Sequence, residues 1–292
     1  MQIPQNIQEN ADMKQYTSFR AGGSAKYFAK VESAEELTEF KEFAKEASLP
    51  YFILGLGSNV VVSDAGYEGL IIKLGKKFSH FKFDKETLTA GAATPLSILA
   101  RMSATMGFSG IHLLAGIPGS VGGAVAMNAG AYGEEIAQTL TEVKVQEENG
   151  TIQNYSKEEC GFDYRHSAFQ NTKSIILEAS FRLEAANSKE LLDAQAEVLA
   201  ERKAKQPLEL PSAGSMFKRP VRGFPGALIE QAGLKGFAIG GAQVSPKHAN
   251  FIVNTGCATA QNIYDLSQLI RDRVKTLSGI QLEREVIFLG KF

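Results

Sequence analysis

The residues that could do chemistry lie in a few short, separated segments. In Ser212-Ala-Gly-Ser-Met-Phe-Lys-Arg-Pro220, Ser215 stands between a glycine and an apolar pair, with two cations following. That setting suits a positioned hydroxyl beside an anion site, and equally a β-bulge or loop. It is not Gly-x-Ser-x-Gly and no strand–turn–helix elbow surrounds it, which argues against acyl transfer. Lys218, Arg219 and Arg222 read as a solvated face or as a grip on a diphosphate, which arginine binds through paired N–H bonds. Lys247 and His248 add cationic character further on. In Tyr164-Arg165-His166-Ser167, Arg165 offers permanently charged, fixed donors that suit an oxyanion or carboxylate, against the plain reading of a surface arginine. His166 has no partner of metal-ligand type nearby, so a solvated or hydrogen-bonded ring is expected. In Leu282-Glu-Arg-Glu-Val286, alternation puts Glu283 and Glu285 on one face and Arg284 on the other. A carboxylate on an otherwise apolar strand must be exposed, paired or functional. The lone His80 and His112 are read as structural.

Two glycine-rich runs offer main chain rather than side chains. The stretch Ala115 to Gly133 carries no charge and is mostly Gly, Ala and Ser. Residues this small let backbone approach backbone or a ligand closely. The run reads as a tight turn against a helix or as the bed of a bulky cofactor; its Pro118, Asn128 and repeated glycines argue against a membrane span. Gly55-Leu-Gly-Ser-Asn59 carries two glycines of a Gly-x-Gly-x-x-Gly pattern, but Val60 replaces the third and a strand follows. A Rossmann site needs a helix N-terminus there and is rejected. A plain turn remains open, as does a loop presenting N–H groups and the Ser58 hydroxyl to a diphosphate.

The elements that must position these segments follow from periodicity and caps. Residues 1–32 begin irregularly, with a turn at Thr17–Gly23 and a strand from Ala25 to Val31. Ser33-Ala-Glu-Glu36 is a capping box before a helix over 34–48, and strands follow at 51–54, 60–63 and 70–74. A hairpin spans 81–90, and Thr94-Pro95 starts a helix to about Met106, with Thr as its cap. Val143 and Val145 lead into a hairpin at Asn149-Gly150. Residues 175–183 form a long strand with one polar face. Helices are predicted at 189–204, 225–231 and from Thr259 to Gly279, with a strand at 250–254 and a closing strand over 280–289. Composition sets broad limits. The chain has 292 residues, 44% apolar, with net charge −1. No global field favours nucleic acid or an acidic membrane surface. Cys160 and Cys257 form no disulfide framework, and from the polar N-terminus no secretory leader is expected.

Taken together, these segments resemble the UDP-N-acetylenolpyruvoylglucosamine reductases, the MurB family of peptidoglycan precursor synthesis. The likeness covers nearly the whole chain in the family's order: Thr17–Gly23, Gly55–Asn59, Ala115–Gly123, Asn128–Gly133, Tyr164-Arg165, Ser212–Ser215 and Glu285-Val286. It implies an α+β flavoenzyme: a vanillyl-alcohol-oxidase/PCMH-type FAD-binding region, holding FAD noncovalently, and a separate α+β substrate domain. By resemblance, Gly55, Leu56, Gly57, Ser58 and Asn59 hold the FAD diphosphate. Gly116, Pro118, Gly119, Gly122, Gly123 and Asn128 line the diphosphate and flavin. NADPH reduces FAD and leaves; the enolpyruvyl ether of UDP-N-acetylglucosamine then becomes the lactyl ether of UDP-N-acetylmuramate. Arg165 and Glu285 match the family's charge-stabilising pair and Ser215 its proton donor, with Lys218 as a candidate activator. Tyr164, Lys218 and Arg219 are assigned to substrate. No metal, nucleic acid or membrane is implied, and a cytoplasmic monomer is expected.

Two departures stand out. The family often ends Glu-Val-Arg, whereas Ile287 occupies the arginine's place here, so a cationic contact is absent or comes from Arg284. The interval from Arg165 to Ser215 is also short, matching the branch without the insertion whose tyrosine closes over substrate. The expected domains are 1–186 for FAD (about 1–75 and 76–186), 187–280 for substrate, and 281–292 as a strand returning toward the FAD side. Two other readings remain open. An FAD-dependent oxidase would turn over with oxygen and no UDP-linked substrate; a nonenzymatic nucleotide-binding protein would show no flavin reduction by NADPH.

Overall fold

A computed structural model describes residues 3–292. The chain separates into two compact units. The first holds the described residues up to Ile7, with Ala29–Leu56 and Ile71–Arg202; the second holds Gln8–Phe28, Gly57–Leu70 and Lys203–Phe292. Strands Ser24–Val31 and Tyr67–Leu74 are divided between them. No helix among the described residues is long and apolar enough to cross a membrane.

The first unit is built on a five-stranded antiparallel sheet in the order 152–156, 140–146, 175–182, 87–91, 81–84. The expected alternation is clear in Ile175–Arg182: Ala179 and Phe181 are buried while Ser180 is half-buried and Arg182 exposed. Helix Ala34–Glu46 starts as its sequence requires. Ser33 Oγ accepts from Glu36 N at 3.2 Å, and Glu36 reaches back to Glu32 N at 2.7 Å. Helix Leu96–Thr105 begins one residue later than a Thr94 cap would place it. Pro95 is the cap residue, and Thr94 Oγ1 donates instead to His80 O at 2.9 Å. Helix Ser188–Lys205 belongs to this unit as far as Arg202, unlike the division expected near residue 186. The reason is its buried Gln195, whose amide donates to Ala100 O at 3.2 Å and His112 O at 2.9 Å.

The second unit gathers distant pieces of chain. Phe19, Ala21 and Val61 share one core with Phe217, Leu266, Ile270 and Val286. Its main helix, Ala260–Ser278, is bounded as expected. Thr259 and Asn262 form a capping box, and Gly279 closes the helix at φ +73°. Asp64 supplies two further bonds at that helix start, accepting from Ala260 N at 2.9 Å and Gln261 N at 2.8 Å, where a carboxylate is favoured. A three-stranded antiparallel sheet joins Ala238–Ile239, Ala242–Val244 and Ile252–Asn254.

Two expectations are corrected. The N-terminal region is not wholly irregular, because Ile7–Asp12 forms a strand; residues 1 and 2 of that expectation lie outside the described residues. The closing strand is much shorter than 280–289. Only Ile287–Leu289 is regular, pairing in parallel with Val60–Val62.

The Thr17–Gly23 turn is held by close backbone approach. A Cβ on Gly22 (φ +107°) would lie 2.1 Å from Val62 O, and one on Gly23 2.5 Å from Asp64 O. Gly22→Ala is therefore expected to destabilise the protein by roughly 2–5 kcal/mol, combining backbone strain with overpacking. Gly256→Ala, at φ +126° with open space around it, should lose roughly 1–3 kcal/mol from backbone strain alone. Equal shifts in urea midpoint for the two variants would show that close approach is not the constraint.

Candidate active site

In the first unit, the run from Ala115 to Gly133 is not one continuous helix. It comprises a 3-10 turn ending at Gly116, helix Val121–Ala126 and the strand Gly130–Ala131. Its main-chain donors are largely engaged within the unit: Val121 N donates to Thr94 O, Gly122 N to Ala92 O, and Gly123 N to Ser120 Oγ. The glycines divide by role. A Cβ on Gly122 would lie 2.9 Å from Ala92 Cβ, so packing against residue 92 requires a residue without one. Gly116 faces the side chain of Arg202, whose guanidinium burial pulls below its ordinary value. At Gly119 a Cβ would meet only Ile117 at 3.8 Å, and at Gly123 only Ser120 Oγ at 3.4 Å. These two leave a surface that a flat ligand can approach.

Asn128 is buried and left-handed (φ +39°). Its Nδ2 donates to Asp163 O at 3.1 Å and its Oδ1 accepts from Ala137 N at 3.0 Å. The side chain therefore stitches this run to the Arg165 turn. That turn is tight: Asp163 and His166 exchange both main-chain hydrogen bonds, at 3.1 and 3.0 Å. Arg165 sits at its corner with φ +53°, a conformation worth roughly 1–2 kcal/mol of strain for a residue with a Cβ. Ser167 Oγ and Gln170 Nε2 both bond Ala126 O, at 2.8 and 2.9 Å, fixing the turn to the end of helix Val121–Ala126. Arg165 Nη2 donates to Gly130 O at 2.9 Å, and its guanidinium lies 5.1 Å from the ring of the exposed Tyr164. Arg165 is thus brought to the glycine-rich run. His166 is hydrogen-bonded to Gln170 at 3.3 Å, His80 to Glu178 at 3.0 Å, and His112 pairs with Glu134 at 2.7 Å.

In the second unit, Ser215 lies in an extended segment between two others. It bridges Phe251 on one side, while Phe217 bridges Arg284 on the other. Met216 N donates to Asn250 O at 2.7 Å, Glu285 N to Met216 O at 2.9 Å and Lys218 N to Glu283 O at 2.9 Å. Glu285 is therefore opposite Met216, next in sequence to Ser215. The buried Asn250 was not singled out from sequence. Its side chain forms a two-point amide clamp on Phe217, with Nδ2 to Phe217 O at 2.9 Å and Phe217 N to Oδ1 at 3.1 Å. The sequence marks it only as the start of the strand expected over 250–254, which the structure shortens to Ile252–Asn254.

Several other charges of this unit have partners of their own. Lys218 Nζ sits 2.5 Å from Glu283 Oε1, so its expected part as activator of Ser215 is not supported. The guanidinium of Arg219 stacks over Phe224 at 4.2 Å. Arg284 lies over Tyr264 and Phe288, at 4.4 and 5.0 Å, and donates to Ser267 Oγ and Gln268 Oε1. It faces helix Ala260–Ser278 and does not replace the cation that Ile287 removes. Lys247 donates to Lys203 O at 2.7 Å.

Comparison with known proteins supplies the class. A family model described as an FAD binding domain matches residues 25–156. A second, described as the C-terminal domain of UDP-N-acetylenolpyruvoylglucosamine reductase, matches residues 206–289. Together with the α+β fold, these define an FAD-dependent oxidoreductase. UDP-N-acetylenolpyruvoylglucosamine reductase from Syntrophomonas wolfei is 39% identical over 288 residues, covering 99% of this chain and 96% of its own. The protein of that name from Heliobacterium modesticaldum is 43% identical, covering 95% and 89%. The crystal structure of UDP-N-acetylenolpyruvylglucosamine reductase (MurB) from Thermus caldophilus superposes with a TM-score of 0.84 at 36% identity, covering 97% of this chain and all of that one. The chain belongs to the UDP-N-acetylenolpyruvoylglucosamine reductase family.

The residues present fit an FAD. From Gly55 to Asn59, no main-chain N–H has a hydrogen-bond partner among the described residues. Such a run of donors suits a diphosphate. Gly55 must lack a Cβ, which would lie 2.6 Å from Ser120 Oγ, and its carbonyl accepts from Lys73 Nζ at 2.8 Å. A Cβ on Gly57 (φ +69°) would meet Tyr16 O at 1.9 Å, and Ser18 N donates to Gly57 O at 3.0 Å. The loop is thus braced by its carbonyls while its N–H groups remain available.

His248 stands edge-on to Phe251, the bridge partner of Ser215, with ring centroids 4.9 Å apart. Burial holds its pKa below the ordinary imidazole value, and the nearby Lys235 acts in the same direction. A depressed histidine gives full stability above its unfolded pKa, about 6.5, and loses it as pH falls toward the folded value. The urea midpoint should therefore drop between about pH 7.5 and 5.5, and His248→Gln should flatten that slope. An unchanged slope in the variant would remove His248 as its source.

Proposed function

We propose that this chain reduces the enolpyruvyl ether of UDP-N-acetylglucosamine to the lactyl ether of UDP-N-acetylmuramate, with NADPH as electron source, in the cytoplasm. The observation that supports this reading is that the segment carrying Ser215 runs beside the one carrying Glu285, with Glu285 N donating to Met216 O at 2.9 Å and Phe217 bridging Arg284. A hydroxyl donor and a carboxyl group carried on neighbouring segments would suit protonation of a carbon next to a carboxylate.

FAD, held by the Gly55–Asn59 loop, would supply the two-electron chemistry that carries hydride from NADPH to the methylene carbon of the enolpyruvyl group. Negative charge then develops on the adjacent carbon and its carboxylate. Donors fixed in advance and aimed at that charge lower the barrier. Arg165 has this character: its turn is closed by two main-chain bonds and tied to Ala126 through Ser167 and Gln170. Glu285 is the second stabilising group, acting protonated or through a hydrogen bond. Ser215 Oγ gives its proton to the charged carbon and recovers one from solvent, so hydride and proton together saturate the double bond. A hydroxyl is a weak acid, and the strongly basic carbon it meets makes the transfer feasible. In this reading the N–H groups of Gly55–Asn59 hold the diphosphate of FAD, and the open faces of Gly119 and Gly123 take its flat portion. Tyr164, Lys218 and Arg219 remain the substrate-facing candidates, the latter two with their charges already partnered by Glu283 and Phe224.

The test separates the two half-reactions by anaerobic stopped flow: bleaching of the yellow protein by NADPH, then recolouring by the enolpyruvyl substrate. Ser215→Ala is expected to bleach while recolouring slows by about 10²–10⁴-fold, the usual worth of a positioned general acid. Bleaching without any substrate-dependent recolouring of the unmodified enzyme would overturn the reductase reading. Turnover with oxygen and no UDP-linked substrate would replace it with an oxidase.

A further inference from the structure

Asn59 ends the glycine loop, yet its own hydrogen bonds point at the chain's other end. Its Nδ2 donates to Glu285 O at 3.1 Å, across 226 residues of sequence. Its main-chain carbonyl accepts from Ile287 N at 3.0 Å. One residue thus grips the chain on both sides of Val286. The third constraint is Glu285 N to Met216 O at 2.9 Å. Glu285 therefore has its N–H fixed by the Ser215 segment and its C=O fixed by Asn59. After Asn59 the chain runs directly into Val60–Val62, the parallel partner of Ile287–Leu289.

We infer that Asn59 is a positioning residue for Glu285, so that the loop read as the diphosphate cradle also sets the carboxyl group used in substrate reduction. The inference rests on the role proposed for Glu285. The physical reason is local. Glu285 lies outside regular strand, since the ladder begins only at Ile287. Two hydrogen bonds hold its peptide where a sheet would normally supply a ladder. Without the Asn59 amide, its carbonyl loses the hydrogen bond that Asn59 Nδ2 supplies, and the side chain's origin can shift. The main-chain bond from Ile287 survives, so the strand still forms. A displacement near 1 Å at a reacting group is worth up to about 10²-fold in rate.

Asn59→Asp keeps the shape but replaces the donor with an acceptor facing Glu285 O. With the FAD-loaded enzyme, recolouring by the enolpyruvyl substrate is expected to slow by roughly 10–100-fold, well beyond any change in bleaching, with FAD content per chain retained. Asn59→Ser, which keeps a donor on a shorter arm, should fall between and serves in its place if the aspartate variant does not fold. In a Glu285→Gln background, the Asn59 substitution should add no more than about twofold, because its effect passes through Glu285. Persistence of the full factor in that background would overturn the inference while leaving the role of Glu285 intact. Loss of FAD in step with activity would assign Asn59 to the cofactor alone and overturn it equally. Unimpaired recolouring in Glu285→Gln itself would instead end the proposed role of Glu285, and the inference with it.

Discussion

The second unit depends on a short parallel pairing, Ile287–Leu289 against Val60–Val62. Parallel strands cannot be joined by a tight turn, so this contact is non-local, closing more than two hundred residues of chain. It fixes the position of the Ile287–Leu289 strand, and so where Glu285 falls. Ser63 reinforces it: its N–H donates to Leu289 O at 2.8 Å and its hydroxyl to Lys291 O. The strand after the glycine loop is itself held by Gly22 and Gly23, whose missing Cβ atoms admit Val62 O and Asp64 O. Three regions far apart in sequence thereby become one frame, with Phe19, Val61 and Val286 buried in its core. The Ser215 segment is then placed by Glu285 on one side and by Phe251 and Asn250 on the other.

The glycines divide two tasks that look identical in sequence. At Gly22, Gly57 and Gly122 the neighbour that forbids a Cβ belongs to the protein, at 1.9–2.9 Å. At Gly119 and Gly123 little or nothing stands in the way. The two glycine-rich runs also differ in their hydrogen bonds. The Ala115–Gly133 run uses its N–H groups internally and offers a small-residue surface, whereas the Gly55–Asn59 loop leaves its N–H groups available. Binding a cofactor that has both an anionic diphosphate and a flat ring system calls for both kinds of main chain.

Local signals were legible in the sequence because their physics is local. Ser33 with Glu36 and Thr259 with Gly279 mark helix boundaries within a few residues, and both helices form there. The alternation in 175–182 gives a strand for the same reason. What could not be read depends on remote partners. The strand Ile7–Asp12, with sequence Ile-Gln-Glu-Asn-Ala-Asp, is polar and mostly exposed, and is a strand only because Ser24–Val31 lies beside it. The alternation of Leu282–Val286 suggested a longer closing strand, but there the chain makes only an isolated bridge to Phe217. The helix near 190 was placed with the later domain because nothing in its sequence shows that Gln195 bonds Ala100 and His112. At the site, residue types left Arg165, Ser215 and Glu285 open between plain and chemical readings and the family resemblance singled them out; the fold brings the segments of the latter two side by side. The supporting asparagines, 59 and 250, act on carbonyl and amide groups elsewhere in the chain and leave no local signature.

The central claim is that Ser215 and Glu285 work as one unit on the substrate's charged carbon. A double-mutant cycle on the rate of enolpyruvyl reduction measures this directly, using Ser215→Ala, Glu285→Gln and the pair together. Groups that serve the same transition state are strongly non-additive. The double variant is therefore expected to be no more than about twofold slower than the slower single variant. Rate losses that multiply would contradict the account, showing that the two residues act independently despite sharing a frame.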